Sequence, residues 1–140
     1  MSSITLRSGT SSPLTHAQVD ANFTNLNNDK AGYVTGEGGA VTQATSKSTA
    51  VTLNKKCGTV TMNGAALAAD AIVSFTLTNS TIAATDVVVL NHASAGTAGK
   101  YALNAQAAAG SASINVTNIS AGSLSEAIVI RFAVIKAVTA

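Results

Sequence analysis

The stretch IVSFTLTN, residues 72–79, decides the fold of this chain. Its odd positions Val73, Phe75 and Leu77 are apolar, and the even positions 74, 76 and 78 between and after them are Ser or Thr. Successive side chains of a β-strand point to opposite faces, so this alternation puts one face in a core and the other in water. The stretch therefore predicts a half-buried strand of an antiparallel sheet.

Similar runs extend along the sequence on both sides of this strand. They are rich in Val, Ile and Thr and are separated by turns of Gly, Asn, Ala and Ser, a pattern typical of an all-β sandwich. We predict a jelly-roll-like antiparallel β-sandwich over residues 40–140. The predicted strands lie near residues 41–45, 49–54, 57–63, 72–79, 85–92, 99–106, 111–118 and 126–136.

Two of these strands lack a polar face. Positions 87–90 are all Val or Leu, and in the last strand Val129 and Ile135 alternate with an equally apolar row. A small sandwich buries only one face of each sheet, so another subunit is expected to cover the second face. We predict a homo-oligomer, with a trimer favoured by the layout of a short segment joined to a compact body. The predicted trimer interface is Val88, Leu90, Val129, Arg131 and Ile135.

The leader SPLTHAQVDANFTNLNNDK, residues 12–30, contains a helix signal. Thr15 and Gln18 have the spacing of a capping box, in which each side chain bonds the backbone N–H of the other residue. Leu14 before the cap and Val19 after it have the spacing of a hydrophobic staple. The leader therefore predicts a helix at about residues 15–28, with Thr15 as its N-cap.

The predicted helix has a narrow apolar stripe formed by Val19, Phe23 and Leu26. A helix of about twelve residues is marginal in water, so it must pack on its own domain, on sister copies or on a receptor surface. A glycine-rich hinge at residues 31–39 follows. We place the domain boundary there, with an N-terminal anchoring segment at 1–39 and the sandwich at 40–140.

Composition excludes several classes of function. Charged residues make up 10% of the chain, against about 25% in typical soluble proteins. The basic residues form no stripe, so we expect no nucleic-acid ligand. No apolar run is long enough to span a membrane and no secretory signal is present, so we expect synthesis in the cytoplasm without membrane insertion. Cys57 is interpreted as a small hydrophobic residue in a strand.

The sequence contains no recognisable catalytic or metal-binding pattern, which favours a protein that is not an enzyme and has no cofactor. His16 and His92 are far apart, and the six acidic residues show no spacing of metal ligands. An ion site on a trimer axis, formed by three copies of His92 or Asp86, stays open. Sugar binding also stays open, because polar residues flank the loop at 93–99. The candidate glycan contacts are Asn91, His92, Lys100 and Tyr101.

Two stretches resemble a known class of proteins. The leader ITLRSGTSSPLTHAQVDANFTNLN, residues 4–27, resembles an N-terminal segment of fibre proteins of tailed bacteriophages, most specifically in LTHAQVDANFTNLN. The body, from GGAVTQATSKSTAVTLNKKCGTVTMN at residue 38 to SLSEAIVIRFAVIK at residue 136, looks like small phage virion proteins with a jelly-roll knob.

The resemblance implies a trimeric fibre or spike on the virion surface, synthesised in the bacterial host. Its N-terminal segment would be embedded in a capsid, tail or neck protein while the knobs project. No shaft lies between the segment and the knob, which favours a short head fibre that decorates the capsid. The alternative is a tail or neck fibre or adaptor whose knob binds a host surface carbohydrate. The implied anchor residues are Ile4, Leu6, Leu14, Val19, Phe23 and Leu26.

Overall fold

The computed structural model describes residues 13–28 and 36–137, with side chains described for residues 13–25 and 36–137. These residues form one α-helix and eight β-strands. The elements are α1 (His16–Asn28), β1 (Ala40–Thr42), β2 (Val51–Thr52), β3 (Cys57–Thr61), β4 (Ile72–Thr78), β5 (Val87–Ser94), β6 (Tyr101–Ala108), β7 (Ser111–Asn118) and β8 (Val129–Ile135). Each strand overlaps one of the predicted runs, and the prediction of an all-β sandwich is confirmed.

The strands form two four-stranded sheets that pack face to face. The first sheet has the order β1-β3-β8-β5 and the second has the order β2-β4-β7-β6. The pairs β3–β8, β5–β8, β4–β7 and β6–β7 are antiparallel, as predicted. The short edge strands β1 and β2 instead pair in parallel with β3 and β4. These parallel pairs arise because the chain changes sheet at every step from β1 to β6, so β3 and β4 each return beside a strand that runs in the same direction.

The core lies between the two sheets and follows the alternation seen in the sequence. Phe75 and Leu77 of β4 are 3% and 0% exposed, and they oppose Ile114 and Ala112 of β7 in register. The first sheet contributes a matching row from β8. The largest completely buried side chains are Phe132, Met62, Leu77, Ile114, Ile128 and Ile130. Their burial removes apolar area from water and is the main favourable contribution to folding.

The helix begins with the predicted capping box. The backbone N–H of Thr15 donates to Gln18 Oε1 at 2.9 Å, and the backbone N–H of Gln18 donates to Thr15 Oγ1 at 3.2 Å. Val19 makes the first helical bond, from its N–H to the Thr15 carbonyl at 3.0 Å. These contacts satisfy donors that a helix start leaves free, and they confirm Thr15 as the N-cap.

Helix α1 is separate from the sandwich in the described part of the chain. The strands contact one another extensively, whereas residues 13–28 make no comparable contact with any strand. Phe23, in the middle of the apolar stripe, is 68% exposed. The alternative of a helix packed on its own domain is therefore not what this structure contains. The predicted hinge is described only from Gly36, and its residues 31–35 lie outside the described residues.

Candidate functional site

The outer face of the first sheet, called the apolar face below, is the most unusual surface of the sandwich. The register of β3, β8 and β5 sets its rows, in which Ala133 lies between Cys57 and Val89, and Arg131 lies between Thr59 and Asn91. At one end of the face Val87 pairs with Ile135. On β3, β8 and β5 the apolar face is formed by Cys57, Thr59, Thr61, Val87, Val89, Asn91, Val129, Arg131, Ala133 and Ile135.

Large apolar side chains on this face are open to solvent. Val87, Val89 and Ile135 are 53%, 46% and 55% exposed. They make up half of the exposed large apolar side chains in the described residues. The solvent side of an antiparallel sheet is normally polar, and contiguous apolar patches on a protein mark interaction sites. The apolar face is therefore suited to a partner and is poorly suited to water.

A shallow depression lies in the middle of the apolar face. Its volume is about 560 Å³, within the range of about 300 to 1,000 Å³ typical of ligand pockets. Glycines border it where the chain enters β1. A Cβ added to Gly58 would lie 2.6 Å from the Gly39 carbonyl, so only a glycine fits this close approach of two backbones. The depression is lined by Gly38, Gly39, Cys57, Gly58, Thr59, Val89, Leu90, Asn91, Arg131, Phe132 and Ala133.

Arg131 is the only charged side chain on the apolar face. It is exposed, and within residues 13–28 and 36–137 it forms no ion pair or hydrogen bond. Its neighbours in register are the uncharged Thr59 and Asn91. A guanidinium group strongly prefers carboxylate partners, which it binds through two N–H groups at once. A partner that covers this face must therefore leave Arg131 in water or bring an acidic group to it.

The predicted trimer interface is partly misplaced. Val88 and Leu90 pair with the core residues Val134 and Phe132 and pack against the core, so the prediction that they face outward is wrong. The outer positions of β5 belong to Val87 and Val89. Both faces of β5 are apolar in sequence, so only the register with β8 decides which face is buried. Three predicted residues do lie on the apolar face, namely Val129, Arg131 and Ile135.

A second polar cluster lies at the end of the sandwich, around Glu126. Thr97 donates to the Glu126 carboxylate from its N–H at 3.0 Å and from its hydroxyl at 2.7 Å. The Tyr101 hydroxyl donates to Glu126 Oε2 at 2.8 Å. Gly96, with φ of 68°, allows the loop to turn here, because an added Cβ would lie 2.5 Å from Ile128 Cγ2. Glu126 therefore fastens the loop between β5 and β6 to the segment before β8.

The ionisable groups of this cluster shift one another's pKa values. The hydrogen bonds from Thr97 and then Tyr101 hold the pKa of Glu126 below its usual value, and burial only partly opposes them. Burial and the Glu126 carboxylate raise the pKa of Tyr101. Lys47 Nζ donates to the Glu126 carbonyl at 2.5 Å and to the Asn63 carbonyl at 2.6 Å. Burial lowers the pKa of Lys47, although the Glu126 charge opposes this. Each charged group of the cluster therefore already has hydrogen-bond partners within the sandwich.

The four candidate glycan contacts lie in different surroundings. His92 and Tyr101 meet edge to face, with ring centroids 5.7 Å apart. The Tyr101 side chain is buried, its hydroxyl bonds Glu126, and His92 Nε2 lies 2.6 Å from the Ala95 carbonyl oxygen. Asn91 lies on the apolar face instead. Lys100 is exposed at the end of the loop. Sequence analysis missed Glu126, although a buried tyrosine indicates that its hydroxyl needs a partner.

The predicted anchor residues are described only in part. Leu14 and Val19 are half-buried and Phe23 is exposed on α1. Leu26 lies within the helix, but its side chain is outside the described residues, as are Ile4 and Leu6. Asp20, one turn before Thr24, is exposed and forms no ion pair within the described part of the chain.

Three further properties bear on function: metal binding, membrane-spanning helices and similarity to known proteins. Within residues 13–28 and 36–137, no three His, Cys, Asp or Glu side chains lie close enough together to hold a metal ion. Asp86, a candidate for an axial ion site, pairs with Lys136 at 2.5 Å. No helix in the described residues has the length and hydrophobicity of a membrane span. Comparisons with protein-family models, curated proteins and solved structures found no significant match.

Proposed function

We propose that this chain is a non-enzymatic structural protein of a tailed bacteriophage virion. It forms a short trimeric fibre or spike on the particle surface. Its N-terminal segment is anchored in the particle, and the sandwich projects from it. A head fibre that decorates the capsid is the favoured position. A fibre or adaptor at the tail or neck, with a sandwich that binds host carbohydrate, is the alternative.

The observation that carries the proposal is the presence of two apolar surfaces on separate parts of one chain. The apolar face exposes Val87, Val89 and Ile135, and α1 exposes Phe23. A chain that keeps both surfaces in water loses the free energy of burying them. Assembly of several copies on a larger particle offers a partner to each surface, and the resemblance of residues 4–27 to phage fibre segments indicates the kind of particle.

The low charge of the chain agrees with a role in permanent assembly. Only 10% of the residues are charged, and the polar groups at the end of the sandwich already bond one another around Glu126. Interfaces that stay assembled are depleted in charged residues at their centres. The carbohydrate-binding alternative has less support, because the side chains of Tyr101 and His92 are engaged within the sandwich.

The test uses virions from a phage that carries this gene, with and without residues 1–30. We expect peptides of the full chain in purified particles and gold-labelled antibody against the sandwich over the head. The variant without residues 1–30 should be absent from particles, although circular dichroism shows its sandwich folded. Full incorporation of that variant would refute the anchor.

The position of the label decides between the two placements. Label at the tail or neck would favour the alternative and make binding to host polysaccharide the next measurement. Particles that contain neither the label nor the peptides would overturn the virion proposal.

A further inference from the structure

We propose that helix α1 of one copy docks on the apolar face of a neighbouring copy, with Phe23 in the depression and Asp20 beside Arg131. This inference rests on the proposed function, because the contact would be the interface between copies of the proposed spike. It also divides the N-terminal segment into two parts. Helix α1 joins the copies, and the residues before it are left to bind the particle.

The helix needs such a partner. It has 13 residues, a length at which an isolated helix is marginal in water and gains its stability from packing. Phe23 is 68% exposed, and Val19 lies one turn before it on the same stripe. Asp20 is the only Asp, Glu, Lys or Arg in the helix sequence HAQVDANFTNLNN. The helix therefore offers one aromatic side chain and one negative charge on neighbouring positions of its surface.

The apolar face offers the complementary pair. Its depression of about 560 Å³ is lined in part by one register row, in which Ala133 lies between Cys57 and Val89. Arg131 lies on β8 two residues from Ala133, so it is on the same face and also lines the depression. It is the only charge on the face and has no partner within residues 13–28 and 36–137. An acidic helix with an exposed Phe fits this surface in both charge and polarity.

The dimensions of the two elements also agree. A helix of 13 residues is about 20 Å long at about 1.5 Å per residue. Strand β8 has seven residues and spans about 24 Å at about 3.4 Å per residue. The helix can therefore lie along the sheet over most of the length of the apolar face.

A second apolar face is a poorer partner for this surface. Two identical faces bring no acidic group to either Arg131, so each guanidinium would be covered without a carboxylate partner. A contact between a helix and a sheet joins two different surfaces. Such a contact produces a closed ring when the rotation that relates neighbouring copies closes. This geometry accommodates three copies as readily as two, in agreement with the proposed trimer.

The direct test places single cysteines at the two charged positions of the full chain. Cys57 is the only native cysteine, so the background is Cys57→Ser. In the Asp20→Cys, Arg131→Cys variant, mild oxidation should yield disulfide-linked dimers and trimers on a non-reducing gel. The matched control is Ala21→Cys, Arg131→Cys, which moves the helix cysteine to a neighbouring position about 100° around the helix. The control should yield at least about fivefold less linked product.

A charge exchange tests the same contact without covalent chemistry. Asp20→Lys and Arg131→Glu should each weaken association about fivefold, which is the effect of an exposed ion pair at its upper limit. The double variant should restore the wild-type association, measured by light scattering against concentration. Both residues are exposed, so neither change disturbs the core.

The outcomes separate this inference from the proposed function. Trimers in solution without any disulfide between positions 20 and 131, or with that disulfide only within one chain, would overturn docking between copies and leave the virion proposal standing. Linkage between copies of a protein that is absent from virions would support the docking and overturn the virion role. A chain that stays monomeric at every concentration would overturn the docking.

Discussion

The outer faces of the two sheets differ although both follow the same β-strand periodicity. The outer face of the second sheet, called the polar face below, carries Ser, Thr, Asn and Gln at most positions of β4, β7 and β6. Its centre is a ladder in which Ser74 Oγ donates to Asn115 Oδ1 at 2.6 Å and Asn115 Nδ2 donates to Asn104 Oδ1 at 3.3 Å. The apolar face has no such ladder among the described residues.

This difference shows which sheet is built for water. Hydroxyl and amide side chains bond water and one another equally well, so the polar face is stable when solvated. Val87, Val89 and Ile135 gain nothing from water, and they lie together on the other sheet. A sandwich with one polar and one apolar outer face is expected to associate through the second. Ile72, 65% exposed on β4, is the exception on the polar side.

The largest expected effect is a loss of association when a charge is placed on the apolar face. Val89→Lys puts an ammonium group beside the depression and near Arg131, where an associated copy would have to bury it. We expect association to weaken at least about tenfold, since the loss of a buried Val side chain alone is worth about 1.5 kcal/mol or more. Light scattering over a range of concentrations measures the change.

The matched control is Ser113→Lys, at an exposed central position of the polar face. It adds the same charge to the other sheet and should leave the mass in solution unchanged. Equal weakening by both variants would show that net charge, and not the apolar face, governs association.

A smaller effect is expected at the end of the apolar face, where Asp86 precedes β5 and Lys136 follows β8. The Asp86 side chain is 2% exposed; it accepts from Lys136 Nζ at 2.5 Å and from the Ala83 N–H at 2.7 Å. Burial raises its pKa, but the Ala83 bond and the Lys136 bond and charge outweigh burial, so the pKa of Asp86 lies below its ordinary value. The pair ties the two strands that carry Val87 and Ile135.

The sign of the pH dependence follows from the lowered pKa. A carboxyl with a pKa lower in the folded chain than in the unfolded chain stabilises the fold above the unfolded value of about 3.9, and this is lost as the pH falls through the folded value. Asp86→Asn should therefore lower the free energy of unfolding by about 1 kcal/mol at pH 7. This figure already allows for the exposure of Lys136, whose charge is partly screened by solvent. The loss should shrink below about pH 4.

Urea unfolding between about pH 2.5 and pH 7 measures this effect. Asp70→Asn is the control, because Asp70 is exposed and forms no ion pair in the described residues. Its φ of 55° is also well tolerated by Asn. The ion pair would be without consequence for stability if both variants gave the same pH curve as the wild type.

The sequence predicted the parts of the fold that local pattern controls. Runs rich in Val, Ile and Thr between turn residues located all eight strands of the described residues, and the spacing of Thr15 and Gln18 located the helix start. It did not predict the parallel pairing of β1 and β2, which have three and two residues and are too short to show a pattern. It also misplaced Val88 and Leu90, because a strand apolar on both faces contains no information on which face is buried.

The Glu126 cluster shows a second limit. Glu126 bonds Thr97 and Tyr101, which lie 29 and 25 positions away in the chain. In the folded chain, the loop between β5 and β6 holds Thr97 beside Glu126. Asn91 and His92 point to opposite faces of β5, Tyr101 begins β6 in the other sheet, and Lys100 lies in the loop before it. The glycan contacts predicted from proximity along the chain stay a prediction, whereas the Glu126 cluster joins residues that are distant in sequence.

The smallest expected effect is a slight loss of stability when the ladder of the polar face is interrupted. Asn115→Ala removes the centre of the ladder, since Asn115 both accepts from Ser74 and donates to Asn104. The side chains are near solvent, so water replaces the lost bonds and the free energy of unfolding should fall by only about 0.5 kcal/mol. Gln106→Ala, an exposed amide on the neighbouring row, is the control and should have no measurable effect. Neither change should alter association. If Asn115→Ala dissociated the oligomer, the polar face would be an interface, and the contrast between the two faces would not describe how the protein assembles.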